Sequence, residues 1–96
     1  MSFVTNPRHP GTVLKTLWLD PLGLSSIALS KRLGVPRTRI ERLVKGQTGM
    51  TPDTALRLGK FFGTSPQMWI NMQMSFDLAQ AASKADLDAI EPLEAA

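Results

Sequence analysis

Six cations crowd one short stretch of the chain: Lys31, Arg32, Arg37, Arg39, Arg42 and Lys45, against the single acid Glu41. Wound as a helix at about 100° per residue, the segment Pro36–Lys45 turns Ile40, Leu43 and Val44 to one side, where they must meet a core. The opposite side centres on Thr38, Arg42 and Lys45, with Arg39 and Glu41 on its edges and Arg37 at the N-terminal tip. That outward set suits the major groove of DNA. An arginine fork donates two hydrogen bonds to guanine O6 and N7, worth about 1–3 kcal/mol of base discrimination. Threonine can touch a thymine methyl or a phosphate. Arg37, Thr38 and Arg42 are therefore the candidate base readers. Arg39, Lys45, Gln47 and Thr48 belong near phosphates, where charge supplies affinity without sequence information. Ser25 and Ser26 offer hydroxyls and free amides to phosphates at the start of the preceding helix. The same charges would also suit a solvated helix face in some other bundle.

Few other chemistries have raw material. The chain has no cysteine, which excludes disulfides, thiolate zinc sites and thiol catalysis. His9 is its only histidine and has no acid cluster beside it, so neither a metal site nor a Ser-His-Asp arrangement is expected; capping or packing at the first helix is. The glycines lie at helix ends and form no Walker or Rossmann loop. Trp18 and Trp69 sit on apolar stripes and are expected to anchor a core rather than stack on bases. No enzyme and no cofactor is expected.

The elements that must position the basic helix are punctuated by proline and glycine. His9-Pro10-Gly11-Thr12 opens a first helix from Val13 to about Asp20, with Val13, Leu14, Leu17 and Trp18 on one face and Pro21-Leu22-Gly23 as the break. Ser25 caps a second helix carrying Ile27, Ala28, Leu29 and Leu33, stopped by Gly34. Val35-Pro36 leads directly into the third, which Gly46 ends. Thr51-Pro52 and Ser65-Pro66 are cap-plus-proline starts for a fourth helix, ended by Gly63, and for a fifth running to about Ala82. The expected fold is all-α: an arm over 1–8, a five-helix domain over 9–82 with the helix-turn-helix at about 25–45, and an acidic tail over 83–96.

At 96 residues with a net charge of +3, the chain is sized for one domain. No signal peptide is apparent, and every apolar run is too short to span a membrane, so a soluble cytoplasmic protein is expected. Helix five carries two apolar stripes: Met68, Trp69, Met72, Phe76 and Ala79, and Ile70, Met74, Leu78, Ala81 and Ala82. Either both stripes are internal core, or a second chain covers one. Helix-turn-helix proteins are usually two-fold dimers, so a homodimer is expected, with Trp69, Met72, Met74, Phe76 and Leu78 at its interface. The tail, with Leu87, Ile90 and Leu93 among its acids, is expected to fray, the alternative being a short helix that docks on a basic partner.

The run Leu29-Ser30-Lys31-Arg32-Leu33-Gly34-Val35-Pro36-Arg37-Thr38-Arg39-Ile40-Glu41-Arg42-Leu43 resembles the phage-repressor (XRE/Cro-type) helix-turn-helix. In that family the base contacts fall on the positions of Arg37, Thr38 and Arg42. Ser26 stands where the family commonly has a phosphate-contacting Gln, Ser30 where it has a small Ala, and Pro36 where it has a hydroxyl cap. His9-Pro10-Gly11, the Gly46 turn, Met50–Leu58 and Gly63-Thr64-Ser65-Pro66-Gln67-Met68-Trp69-Ile70-Asn71-Met72-Gln73 further resemble the HigA-type antitoxins, over about Asn6 to Ala82. The resemblance implies a bacterial type II antitoxin that neutralises a RelE/HigB-like mRNA endonuclease toxin and represses its own operon at palindromic operator DNA. The alternatives are a stand-alone XRE-type repressor without a toxin, and an interaction module that has lost DNA binding.

Overall fold

The computed structural model describes residues 6–94, so residues 1–5 of the expected arm and the last two of the tail lie outside it. Five helices follow one another, and no strand occurs among the described residues. Helix α1 is continuous through Pro10–Val13, a π-helical stretch Leu14–Leu19, and Asp20–Leu22. Then come α2 (Ser26–Leu33), α3 (Arg37–Val44), α4 (Pro52–Phe62) and α5 (Pro66–Lys84). Helix α2 packs on α3 and α4, α5 packs on α4, and the start of α1 bridges α3 and α5.

The start signals act as their chemistry requires. His9 Nδ1 accepts from the Gly11 amide (2.9 Å), Ser25 Oγ from Ala28 (3.0 Å), Thr51 Oγ1 from Thr54 (3.3 Å) and Ser65 Oγ from Gln67 (3.1 Å). Pro36 gives α3 no side-chain cap.

Helix α1 departs from expectation in its length and its facing. It begins at Pro10 and runs past Pro21 to Leu22. Proline has no amide to donate and crowds the carbonyl one turn back; the widened π turns lie immediately ahead of Pro21. In that register residues five apart share a face. Leu14 and Leu19 are buried, while Leu17, expected inside, is 59% exposed.

The core gathers Leu14 and Leu19 from α1, Leu29 and Leu33 from α2, Ile40 and Leu43 from α3, Met50, Ala55 and Leu58, and Trp69 from α5. Trp69 meets one expectation and corrects another: it anchors the core, as its apolar stripe predicts. Assigned to the interface between copies, it is instead wholly buried within its own chain, its indole N–H donating to Thr64 Oγ1 (2.9 Å) and its ring 6.0 Å from that of Trp18. Met72 and Phe76 are half-buried, the latter in a T-shaped contact with the His9 ring at 5.0 Å. Met74 and Leu78 are the interface candidates left open to solvent.

The helix-turn-helix is fixed by two tight stops. Gly34 (φ 72°) ends α2 in the left-handed region with Val35 N–H on the Ser30 carbonyl (3.0 Å) and Gly34 N–H on Lys31 (3.3 Å). The buried Ser30 turns its hydroxyl back onto the Ile27 carbonyl (2.7 Å), so it adds no unpaired polar group to the core. Gly46 (φ 72°) repeats the device after α3, with Gln47 N–H on Arg42 (2.9 Å) and Gly46 N–H on Leu43 (3.0 Å). Helix α5 extends two residues past Ala82, after which Ala85–Glu94 is non-helical and exposed. No helix among the described residues is long and apolar enough to cross a membrane.

Candidate nucleic-acid interface

Helix α3 is anchored from behind and open in front. Ile40 and Leu43 are buried and Val44 is half-buried, whereas Arg37, Thr38, Arg39, Arg42 and Lys45 are all exposed. Eight residues are too few to be stable alone, so α3 owes its position to packing. The main chain of α1 seals it: an ideal Cβ at Gly11 would lie 1.7 Å from the Leu43 carbonyl oxygen, a gap only glycine allows.

Thr38, Arg39, Arg42 and Thr48 border one open cleft between α3 and the start of α4. Gln47 and Thr48 follow the Gly46 stop as exposed loop residues. That loop is clamped to α5, where Gln73 Oε1 accepts from the Met50 amide (2.7 Å) and Gln73 Nε2 donates to Asp77 (2.9 Å). The candidate base readers and loop residues are thus held on a rigid frame. Ser25 is exposed and Ser26 half-buried; the Ser25 hydroxyl accepts as a helix cap and keeps its own proton to donate.

Arg39 is placed differently from the other cations. Its guanidinium Nη1 donates to Asp53 Oδ2, which also accepts from Arg57 Nε (3.0 Å). Arg57 Nη1 in turn donates to the Leu33 carbonyl (2.8 Å), tying α2, α3 and α4 together. The hydrogen bond from Arg39, and then that from Arg57, hold the Asp53 carboxyl below its ordinary value of 3.8. Sequence reasoning missed Asp53. Its pairing with Arg57 is visible as an acid and a base four residues apart on one helix, but its contact with Arg39 spans fourteen residues and has no local signal.

A short helix presenting cations from a tight turn, with its rear locked into an all-helical core, defines a helix-turn-helix protein. Residues 17–69 match the helix-turn-helix family HTH_3. Virulence-associated protein I of Dichelobacter nodosus is 46% identical over 86 residues, covering 88% of this chain and 80% of that protein. Antitoxin HigA-1 of Vibrio cholerae is 32% identical over 89 residues, covering 91% and 84%. The structure of the Pseudomonas aeruginosa antitoxin HigA with the higBA promoter superposes with a TM-score of 0.87 at 37% identity, over 93% of this chain and all of that one. The chain belongs to the helix-turn-helix family, within its group of HigA-type antitoxins.

Proposed function

We propose that this chain is the antitoxin of a type II toxin–antitoxin module, acting by binding alone, without catalysis or cofactor, in the bacterial cytoplasm. As a homodimer it represses its own operon at palindromic operator DNA, and it neutralises a RelE/HigB-like mRNA endonuclease. The observation that carries the DNA reading is the exposed row Arg37, Thr38 and Arg42 on a helix whose opposite side is buried.

Inserted end-first into the major groove, α3 brings Arg37 and Thr38 to base edges from its tip and Arg42 one turn later. The two guanidinium forks discriminate guanine, and Thr38 meets a thymine methyl or a phosphate. Lys45, Gln47 and Thr48 flank the helix on the phosphate side, joined by the hydroxyls and amides at Ser25 and Ser26. Two-fold pairing through the exposed Met74 and Leu78 of α5, flanked by Met72 and Phe76, would set two copies of α3 on half-sites about one DNA turn, roughly 34–36 Å, apart.

The toxin reading rests on the likeness to HigA-type antitoxins. Purification of the tagged chain expressed from its native operon tests it. A small co-purifying protein that cleaves mRNA when freed supports the antitoxin; an operator-binding chain that always purifies alone indicates a stand-alone repressor.

A further inference from the structure

The ion-pair network at the rim of the DNA-facing cleft joins a recognition-helix arginine to an acid that points the same way. Asp53 sits in the first turn of α4 and borders the cleft shared by Thr38, Arg42 and Thr48. Its Oδ2 takes hydrogen bonds from Arg39 and Arg57, and Arg57 is itself fixed by the Leu33 carbonyl. The carboxylate is therefore braced from behind and meets Arg39 in front.

A DNA phosphate and the Asp53 carboxylate are competing acceptors for the same guanidinium. While Arg39 Nη1 is held by Asp53, its charge is already paired and an acid stands beside any phosphate its other N–H groups could reach; to neutralise a phosphate in full it must leave Asp53. Both side chains are about half exposed, so the pair adds little to folding stability. Its weight falls instead on binding, where every cation withheld from a phosphate removes non-specific affinity and leaves the base contacts intact.

Resting on the operator-binding reading, we propose that Asp53 sets the charge-driven part of the affinity for DNA. By holding Arg39 at the cleft rim, it withholds that arginine from the phosphates and lowers the charge-driven affinity for any duplex, operator and unrelated DNA alike. Arg39 is thereby reassigned from phosphate contact to a partner in this restraint.

The test compares the full chain with its Asp53→Asn, Arg39→Gln and double variants on two duplexes, the chain's own upstream DNA and a scrambled one, across a salt series. Asp53→Asn should tighten binding to scrambled DNA about fivefold in low salt and steepen its salt slope by about 0.9, one released phosphate contact. The upstream duplex should gain by a similar factor, leaving the preference between the two unchanged. Arg39→Gln alone should leave the slope within about 0.3 of the parent, since that charge is already engaged, whereas a free phosphate contact would flatten it by about 0.9. The double variant should lose the gain made by Asp53→Asn. If Asp53→Asn leaves scrambled-DNA binding unchanged, or weakens both duplexes alike, Asp53 is only a brace and the inference is overturned. Should Asp53→Asn fail to fold, the Arg39→Gln slope decides alone. A parent chain that binds neither duplex overturns the operator reading as well; a parent that binds beside a silent Asp53→Asn overturns this inference only.

Discussion

Arg42 and Lys45 stand three residues apart on the same exposed face of the α3 segment, yet their chemistry assigns them different tasks. A guanidinium fork can hold two acceptors on one guanine edge; an ammonium is a point charge. Arg42→Ala should cost about 1–3 kcal/mol at the operator and relax preference at one base position. Lys45→Ala should weaken all sequences alike and flatten the salt slope by about one unit. Binding curves on a set of single-base operator variants separate the two, and matching behaviour of both mutants contradicts the assignment. Gly11 makes a purely structural case at the same scale. With the Leu43 carbonyl 1.7 Å from where a Cβ would sit, Gly11→Ala must push α1 off α3. A stability loss of about 3 kcal/mol is expected from that overpacking, read by urea melts. A melt unchanged from the parent would mean that the two helices separate freely.

Among the elements, the loop after α3 is held by α5 as well as by its own turn. Gln73 closes off the Met50 amide and is pinned by Asp77. Gln73→Ala leaves that amide without its partner, at a cost of about 1–3 kcal/mol. It should also weaken operator binding, because Gln47 and Thr48 lose their fixed position; native operator affinity in a destabilised Gln73→Ala chain would separate the loop from DNA binding. The outer face of α5 is a different matter. Met74 and Leu78 remain exposed while Trp69 is sealed inside, so a charge at position 74 should spare the fold. Met74→Asp is expected to lower the sedimenting mass from dimer to monomer with near-native helicity. A dimer that survives it would place the interface elsewhere.

Helix starts were readable because caps are local chemistry. A hydroxyl or imidazole acceptor followed within three residues by its amide is visible at His9, Ser25, Thr51 and Ser65. The outer face of α3 was equally legible from 3.6-residue periodicity. Periodicity failed where the period itself changed: the π turns of α1 reversed the expectation for Leu17. It also could not divide the two stripes of α5, since a methionine that packs inward, such as Met72, and one open to solvent, such as Met74, look alike in sequence. Long-range pairs such as Arg39 with Asp53, or Met50 with Gln73, leave no trace in local spacing.

For the whole molecule, one basic face and one uncovered apolar helix face lie on a single small frame, and the tail carries four of the eight acids. Charge placed this way makes binding to a polyanion steeply dependent on salt, while base contacts set the choice among sequences. The most direct measurement is fluorescence anisotropy of the intact chain on its own upstream DNA and on a scrambled duplex, across a salt series. The expected result is a steep loss of affinity with salt on both duplexes and a preference for the upstream duplex of about a thousandfold or more. Equal affinity for the two, or binding indifferent to salt, would contradict the assignment of Arg37, Thr38 and Arg42 as readers of DNA.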